Sequence, residues 1–360
     1  MSTVSFYIYG AGIVATSIYT AINNLYNCKP IAFLVSSLEE NPVKIDDIPV
    51  LEISKEKTLD DLSKYLIATP EAHHAVIADS LYKLGIAQKQ LIFVDNQLEN
   101  TLMEAYFSNI QEITTLSELL CATRHDAVAA EECVVYQAKC HVDKTLKGNF
   151  PIPKYVHPIQ VGSALTDEII EEIRDNIGKN ISYKNRNYCE LTATYYAWKN
   201  CQEQYKGLCH YRRIFDITDE QLQVLLSEHK EVDVILPYPS IHYPDISGQH
   251  NRYVNEQDWS AMLQAMQEVA PEYYTAYMST ISKENYFYNF NMLIAKKEVY
   301  DDYCQFLFSV LERTEELATP RGWGRADRFA GYLGENLTTI YFRKNRDKLQ
   351  CVHTGKIWLT

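Results

Sequence analysis

A dense group of polar residues occupies the middle of the chain, between residues 185 and 215. Its side chains can bind anions, exchange protons or donate hydrogen bonds: Cys189, Glu190, Thr192, Trp198, Lys199, Asn200, His210, Tyr211, Arg212 and Arg213. The adjacent Arg212 and Arg213 suit a diphosphate, because a guanidinium binds phosphate oxygens bidentately and keeps its charge at any working pH. The pattern therefore favours a ligand site. Arginine pairs that are only solvated or salt-bridged remain the alternative.

Two predicted elements position these residues. Residues 188–200 contain no Gly or Pro and space their aromatic side chains at helical intervals, which predicts a helix. Glu190 and Thr194 share one face of it, and Lys199 lies in its last turn, where a cation suits the helix dipole. The apolar run Gly207-Leu208-Cys209 is typical of a buried strand whose carboxyl end opens into a ligand crevice.

The segments CELTATYYAWKN and YKGLCHYRRIF resemble the signature of the domain-of-unknown-function family 4422, bacterial proteins of polysaccharide gene clusters that are assigned to glycosyltransferases of the GT-A type. The resemblance spans about residues 133–345 and includes further stretches: Ile159–Gly162, Asn180–Ser182, Tyr288–Asn289, Asn291–Met292 and Gly331–Leu337. It departs at Asn336, where the family usually carries Arg after the Glu. It implies a GT-A-like α/β domain, in the hexosyltransferase class, that adds a sugar to a capsular, exopolysaccharide or O-antigen glycan.

The resemblance also implies the substrates and the residues that bind them. A UDP-sugar, with galactose or galactofuranose as the first guess, is the expected donor, and a glycan or lipid-linked glycan is the expected acceptor. Donor-binding candidates are Lys144, Gln160, Gly162, Asn187, Glu190, Thr194, Lys199, His210, Tyr211, Arg212 and Arg213. Acceptor-binding candidates are His250, Asn289 and Asn291. Turn formation, core packing or a surface position is the competing explanation for each residue taken singly.

A carboxylate must take the proton of the acceptor hydroxyl in an inverting transferase. Glu335 and Asp327 are the two candidates, because many GT-A enzymes keep this group in a late loop-to-helix position; a solvent-facing carboxylate is the alternative for each. Most GT-A enzymes neutralise the leaving group with a divalent metal on an Asp-x-Asp motif, which this chain lacks. We expect His210, Arg212 and Arg213 to supply the positive charge instead. A divalent metal stays an open alternative, and no cofactor is assigned.

Composition bounds the class of protein. A chain of 360 residues with 46% hydrophobic content predicts two domains, each with its own core. The net charge of −13 disfavours nucleic acid as a partner. Nine cysteines without a CxxC pair indicate reduced thiols and a cytoplasmic protein rather than a disulfide framework. Neither a secretory signal nor a membrane-spanning run occurs, so any membrane association is expected to be peripheral, at the inner face.

The N-terminal third follows a different pattern. The strand Phe6–Tyr9, the turn GAGIVA and a helix form the context in which a dinucleotide fingerprint has meaning. The second strand ends in Ser36-Ser37 instead of the acidic residue that holds a ribose, so we expect a Rossmann-like fold with weak or no dinucleotide affinity. The predicted domains are a Rossmann-like parallel-sheet domain at 1–98, a helical connector at 99–131 and the GT-A-like domain at 132–360. An NAD(P)-dependent sugar-nucleotide oxidoreductase or epimerase and a noncatalytic assembly scaffold remain alternatives.

Overall fold

The computed structural model describes residues 5–55, 63–121, 132–146, 148, 150–322 and 324–359. The chain forms two units. Unit 1 comprises Met1–Glu112 and Ser240–Asp245, and unit 2 comprises Ile113–Pro239 and Ile246–Leu359. Within the described ranges, no helix is both long enough and apolar enough to cross a membrane.

Unit 1 alternates strands with helices. Its elements are Phe6–Tyr9 (β1), Ile13–Tyr26 (α1), Phe33–Val35 (β2), Lys44–Ile45 (β3), Ile48–Glu52 (β4), Lys64–Ile67 (β5), His74–Lys83 (α2), Leu91–Phe93 (β6) and Asn96–Ile110 (α3). The strands form one sheet in the order β3-β4-β2-β1-β5-β6, in which β3 alone of these strands is antiparallel to its neighbour. The predicted Rossmann-like parallel sheet is confirmed.

The glycine-rich turn after β1 has a packing role in this sheet. Gly10 adopts φ +119°, and a Cβ atom there would lie 2.7 Å from the carbonyl oxygen of Ala68. A side chain is therefore excluded at Gly10 both by backbone conformation and by the close approach of the chain after β5. Ala15, at the end of the fingerprint, is buried in the core with Ile8. Packing therefore explains Gly10 and Ala15 of the fingerprint.

The helix that begins the predicted connector packs into unit 1. Leu98 and Leu102 of α3 lie against the core formed by β1, α1 and their neighbours, and α3 contacts α1 directly. Its N-terminus is capped by Asp95, whose carboxylate accepts a hydrogen bond from the Leu98 amide at 2.9 Å. The boundary of the compact unit at Glu112 thus differs from the predicted boundary at 98, because the apolar face of α3 is buried. Residues 122–131 of the predicted connector lie outside the described residues.

Unit 2 is a larger mixed α/β structure. Its helices and strands, together with one strand that joins unit 1, are Thr114–Thr115 (β7), Leu116–Cys121 (α4), Cys133–Lys139 (β8), Val156–Gln160 (β9), Asn185–Tyr188 (α5), Leu191–Asn200 (α6), Tyr205–His210 (β10), Arg213–Phe215 (β11), Asp219–Glu228 (α7), Val234–Pro237 (β12), Ser240–Ile241 (β13, in unit 1), Glu256–Val269 (α8), Pro271–Ser279 (α9), Tyr286–Phe287 (β14), Leu293–Lys296 (β15), Lys297–Leu317 (α10), Phe329–Asn345 (α11), Cys351–Thr354 (β16) and Lys356–Trp358 (β17). The main sheet runs β17-β11-β10-β15-β12-β16-β7, and β8 pairs with both β10 and β9. The pairs β8–β10, β8–β9 and β12–β16 are parallel, whereas β15 is antiparallel to β10 and β12.

The sheet of unit 2 buries both of its faces. Along β15, Leu293 and Ala295 belong to one apolar cluster and Ile294 to the other, as the period of two in a strand requires. Helices α6, α8, α9, α10 and α11 contribute to the first cluster, and α7 contributes to the second. This double coverage explains why a strand such as β12, VILP, is a continuous apolar run.

Gly207 in β10 is required by close strand packing, and its replacement tests the fold. A Cβ atom at Gly207 would lie 2.3 Å from the carbonyl oxygen of Leu293, its neighbour in β15. We expect Gly207→Ala to destabilise the protein by about 1–3 kcal/mol, the usual cost of overpacking, and to lower the midpoint of thermal unfolding. Gly324→Ala is the matched control, since nothing lies within 4 Å of a Cβ atom there. Equal midpoints for the two variants would contradict the packing of β10 against β15.

Strand β13 returns from the second half of the chain to join unit 1. The hydroxyl of Thr16 donates to the carbonyl oxygen of Ile241 at 2.8 Å, and the Ile241 amide donates to the hydroxyl of Ser17 at 2.9 Å. Both hydroxyls are buried. These two hydrogen bonds tie β13 to buried hydroxyls on α1.

Candidate functional site

Four segments of unit 2 meet around one group of charged side chains. They are Cys189–Glu190 between α5 and α6, His210–Arg213 at the end of β10, the turn 289–292 before β15, and the first two turns of α11. Two glycines allow α11 to approach the first of these segments closely. A Cβ atom at Gly331 would lie 3.3 Å from Sγ of Cys189, and one at Gly334 would lie 2.7 Å from Cδ1 of Leu191. The two glycines of the GYLGENL stretch therefore allow α11 to pack closely against Cys189 and Leu191.

Arg213 is held by aromatic rings rather than by a carboxylate. Its guanidinium carbon lies 3.8 Å from the centroid of the Phe290 ring and 3.9 Å from that of Trp358. One terminal nitrogen, Nη1, lies 3.3 Å from Nδ1 of His210. The Nε atom is buried and has no hydrogen-bond partner in the protein. Cation–π contacts orient the guanidinium while leaving hydrogen-bond donors unused, as an anion-binding group requires.

Arg212 and Arg328 add positive charge beside Arg213. The Nε atom of Arg212 is also buried without a hydrogen-bond partner. Burial, followed by the charges of Arg213, Arg212 and Arg328, lowers the pKa of His210 to about 3. Within the part of the chain that the structure describes, none of the three arginines forms an ion pair with a carboxylate. Three guanidiniums that form no ion pair, in a protein of net charge −13, indicate a site for an anion.

The low pKa changes the role expected of His210. The sequence suggested a third cation, but the ring is neutral at physiological pH because it is buried among arginines. Its Nδ1 atom accepts a hydrogen bond from Arg213, which places the proton of the neutral ring on Nε2. His210 therefore orients Arg213 and presents an N–H donor, whereas the arginines carry the charge.

Two glutamates lie beside the arginines. Oε1 of Glu335 accepts a hydrogen bond from the Phe290 amide at 2.8 Å, and Oε1 of Glu190 accepts one from Nδ2 of Asn291 at 2.8 Å. Burial and the nearby charge of Glu190 raise the pKa of Glu335 to about 8. Burial also raises the pKa of Glu190, against the opposing effects of Asn291 and Arg213. A carboxylate with a pKa near neutrality is suited to general base catalysis.

Backbone strain is concentrated at this site. Among the described residues, eight that are not glycine have positive φ, and four of them lie here: Cys189, Phe290, Asn291 and Arg328. The strained conformation at Asn291 is held by hydrogen bonds from its amide to Glu190 and to the carbonyl oxygen of Gly331, at 2.8 and 3.2 Å. Residues in such sparsely populated conformations cluster at functional sites, where surrounding contacts stabilise them. The strain thus supports the same location as the charges.

Several predicted residues are thereby brought together. They are Glu190, His210, Tyr211, Arg212, Arg213, Asn291 and Glu335. The guanidinium carbon of Arg212 lies 5.0 Å from the centroid of the Tyr211 ring. Asn289 lies half-buried in the turn that carries Phe290 and Asn291. Asn187 joins them through Oδ1, which accepts a hydrogen bond from the Ala330 amide at 3.0 Å, while its buried Nδ2 has no partner.

Two donor-binding candidates have structural roles where the chain leaves β9. The side chain of Gln160 holds the following loop, donating to the carbonyl oxygen of Glu168 at 2.7 Å and accepting from the Ile170 amide at 3.0 Å. Gly162 has φ +69°, and a Cβ atom there would lie 2.7 Å from Oδ1 of Asn185. These contacts explain both residues by conformation and packing.

Three further donor-binding candidates lie in other surroundings. Thr194 is buried in the core, and its carbonyl oxygen accepts a hydrogen bond from the Tyr300 hydroxyl at 3.3 Å. Lys199 extends its ammonium group over the ring of Trp198 at the end of α6. Lys144 is exposed after β8, whereas the adjacent Asp143 is partly buried and senses the charges of Arg212 and Arg328. The Asp143 carboxylate accepts a hydrogen bond from the Cys140 amide at 2.7 Å.

Asp327 and His250 have partners of their own. Oδ2 of Asp327 accepts a hydrogen bond from Nε of Arg325 at 2.9 Å. Both terminal nitrogens of Arg325 bind the buried Asp258 at 2.6 Å, so the network fixes the start of α11. His250 is buried with its ring parallel to that of Trp259, at a centroid distance of 3.8 Å. Of the two catalytic candidates, Glu335 is the one next to the arginines.

Several residues of the site were not singled out from the sequence. They are Asp143, Phe290, Arg328, Tyr332 and Trp358. Arg328 does belong to an arginine-rich stretch, but Trp358 reaches Arg213 only through the pairing of β17 with β11, more than 140 positions along the chain.

Among the described residues, no group of three or more His, Cys, Asp or Glu side chains is arranged to hold a metal ion.

Comparison with known proteins shows which family the chain belongs to and which solved structure resembles it. No curated protein matches it. WbbM, described as a bifunctional glycosyltransferase and solved in its apo form, shares the fold with a TM-score of 0.55 and 24% sequence identity over 63% of this chain. The match spans 45% of that longer chain. It bears out the predicted α/β fold class. The model of the domain of unknown function DUF4422 matches residues 139–346, more than half of the sequence, so the chain belongs to the DUF4422 family.

Proposed function

We propose that the protein is a glycosyltransferase that moves a sugar from a nucleoside-diphosphate donor to a hydroxyl of a glycan acceptor. The observation that carries the proposal is the placement of three arginines without carboxylate partners beside a pair of half-buried glutamates, one with its pKa raised to about 8. The arginines suit binding of a pyrophosphate, and the glutamates suit transfer of a proton. The shared fold with WbbM, itself described as a glycosyltransferase, agrees with this assignment.

The proposed reaction divides the work among these side chains. The acceptor oxygen attacks the anomeric carbon of the donor and forms the new C–O bond, while the bond from that carbon to the diphosphate oxygen breaks. The electron pair of the broken bond leaves with the nucleoside diphosphate, whose developing charge Arg212, Arg213 and Arg328 stabilise. The acceptor proton passes to the carboxylate of Glu335. Glu190 raises the pKa of that carboxylate and so strengthens it as a base.

The identity of the substrates forms the finer part of the proposal. A uridine diphosphate sugar, with galactose or galactofuranose as the transferred group, is the first donor to test. The acceptor would be a growing capsular, exopolysaccharide or O-antigen glycan, or its lipid-linked form. Such a reaction would take place in the cytoplasm at the inner face of the bacterial membrane.

A screen of sugar nucleotides tests the function directly. UDP-galactose, UDP-galactofuranose, UDP-glucose and GDP-mannose would be compared with NAD and NADP by thermal shift and by release of the nucleoside diphosphate. A ligand at ~100 times its dissociation constant stabilises the folded state by about 2.7 kcal/mol. We expect a sugar nucleotide to give such a shift and to be consumed. Stabilisation by NAD alone would favour the oxidoreductase, and no consumption of any donor would favour a scaffold.

Independence from a divalent metal is a separate expected result. Because three arginines can neutralise the leaving diphosphate, we expect transfer to persist within about two-fold when a chelator is added in excess. The measurement is the initial rate of nucleoside diphosphate release with and without ethylenediaminetetraacetate. Loss of the rate in chelator, followed by recovery on adding Mn²⁺, would contradict the proposed role of the arginines.

A further inference from the structure

A pair of stacked tyrosines borders the candidate site on the side of α11. The rings of Tyr253 and Tyr332 lie with their centroids 4.9 Å apart and their planes within 17° of parallel. Tyr332 lies three residues before Glu335 on the same helix, so the two side chains are neighbours on one face. Tyr332 also interacts electrostatically with Arg328, one of the three arginines. The pair therefore adjoins both the proposed base and the proposed anion site.

The exposure of Tyr253 distinguishes this pair from the aromatic packing of the core. Tyr253 is 47% exposed, whereas Tyr273 and Tyr341, which also stack in parallel, are 8% and 2% exposed. One face of the Tyr253 ring is covered by Tyr332, and the side chain as a whole remains open to solvent. A large aromatic side chain placed in this way gains little from the protein interior, but it offers a flat apolar surface to a ligand.

The segment that carries Tyr253 is fixed in place. Nδ2 of Asn336 donates to Oε1 of Gln249 at 3.3 Å and to the carbonyl oxygen of Tyr332 at 3.1 Å, which ties residues 249–252 to α11. The buried ring of His250 stacks on Trp259 at 3.8 Å. The tyrosine pair is therefore preorganised, since neither ring has to be recruited when a ligand arrives.

We propose that Tyr253 and Tyr332 form the acceptor subsite and bind a hexopyranose ring of the glycan, an inference that rests on the proposed glycosyl transfer. A pyranose has an apolar face of C–H bonds, which carry partial positive charge and pack on the electron-rich face of an aromatic ring. Its hydroxyls project from the edge of the ring, where polar side chains beside the pair, such as Glu335, could bind them. The charged groups Arg328 and Glu335 bordering the rings suit a sugar rather than an acyl chain, because burying them against hydrocarbon would cost free energy.

Binding of methyl β-D-galactopyranoside and methyl α-D-mannopyranoside to the full chain, followed by ligand-observed NMR, tests the subsite. We expect at least one of the two to bind wild-type protein. Tyr253→Ala should weaken that binding by about ten-fold, a loss in the range measured for aromatic contacts. Tyr253→Trp should retain it, because the flat face is kept. Tyr82→Ala is the matched control, a tyrosine 40% exposed on unit 1.

Three outcomes would overturn the inference. One is the absence of binding by either pyranoside to the wild-type protein. Another is equal binding by wild type and Tyr253→Ala. The third is binding of dihexanoyl phosphatidylglycerol, in place of the pyranosides, in a manner that depends on Tyr253. Because Tyr253 is exposed, we expect its variants to fold like the wild-type protein. The midpoint of thermal unfolding checks this.

Hydrolysis of the donor in the absence of acceptor separates this inference from the proposed function. Water then replaces the sugar acceptor, so Tyr253→Ala should hydrolyse the sugar nucleotide at the wild-type rate while its KM for a glycan acceptor rises about ten-fold. If the wild-type protein consumes no sugar nucleotide, the proposed function fails, whatever the pyranosides show. If hydrolysis proceeds but the acceptor KM is unchanged in Tyr253→Ala, the subsite alone is refuted.

Discussion

Replacing Glu335 by glutamine should lower the rate of sugar transfer by about 10²–10⁴-fold, the usual contribution of a positioned general base. Glutamine has nearly the same shape, and its carbonyl oxygen can still accept the hydrogen bond that the Phe290 amide donates to Oε1 of Glu335 at 2.8 Å. The substitution therefore removes the proton acceptor while preserving the turn that carries Phe290. Steady-state transfer kinetics at saturating donor measure the loss in kcat.

The pH dependence of transfer should follow the same residue. Burial and the charge of Glu190 raise the pKa of Glu335 to about 8, so its basic form predominates only above that pH. Wild-type activity should therefore increase with pH through about 8 and then level off, and the step should be absent in Glu335→Gln.

Stability should change in the opposite sense. The unfolded chain releases the Glu335 proton near its ordinary pKa of 4.5 and the folded chain near 8, so ionisation reduces the stability of the fold as the pH rises through this range. We expect the thermal midpoint of Glu335→Gln to rise relative to wild type as the pH is raised. An unchanged difference in midpoint between pH values of about 5 and 9 would contradict the burial of this carboxylate.

Asp327→Asn distinguishes the two catalytic candidates. Asp327 is 47% exposed and already paired with Arg325, so its substitution should alter the anchoring of α11 more than the chemistry. Glu316→Gln controls for the loss of one negative charge, because Glu316 is exposed on α10. A loss of kcat in Asp327→Asn that matches or exceeds the loss in Glu335→Gln would assign the base to Asp327 and refute the role given to Glu335.

Arg213→Ala should weaken binding of the nucleoside diphosphate by about 10–100-fold, as expected from losing a hydrogen bond between charged groups. The aromatic rings of Phe290 and Trp358 would then enclose a gap, since they contact the guanidinium at 3.8 and 3.9 Å. Arg213→Lys should recover only part of the affinity, because an ammonium lacks the planar fork that binds phosphate bidentately and stacks on aromatic rings. Isothermal titration with UDP gives the dissociation constants.

Arg212→Ala should weaken UDP binding in the same range, and the double variant should lose less than the sum, since the two side chains are adjacent in one site. Arg313→Ala is the control, because Arg313 lies on the surface in ion pairs with Glu268 and Glu316 and such pairs contribute little. UDP binding unaffected by either substitution at 212 or 213 would show that the diphosphate, if bound at all, lies elsewhere.

Local sequence patterns predicted the part of this site that is continuous in the chain. A buried strand followed by His210-Tyr211-Arg212-Arg213, and a glycine-containing helix that carries Glu335, are both visible as short motifs. Trp358 was not predictable in this way, because it reaches Arg213 through pairing of distant strands. The left-handed conformation of Phe290 and Asn291 was also not predictable, because neither residue type indicates positive φ as strongly as glycine does.

Three donor-binding candidates illustrate why a motif does not separate binding residues from shaping residues. Gln160, Gly162 and Thr194 belong to recognisable family stretches, yet their contacts are those of turns and core packing. A motif combines residues that bind with residues that shape the loops, and a sequence alone does not separate the two kinds. The compact unit extends to Glu112, beyond the predicted boundary at 98, because α3 buries Leu98 and Leu102 although most of its residues are polar.

The path of the chain through β13 bears on how this protein can be dissected. A clone that stops at Glu112 would retain the sheet of unit 1 but would lack Ile241, whose amide donates to Ser17 at 2.9 Å. That hydroxyl would lose its donor partner, and the surface of α1 beneath β13 would become accessible to water. The N-terminal third therefore does not contain all of unit 1. A chimaera that exchanges unit 1 between relatives must also exchange residues 240–245.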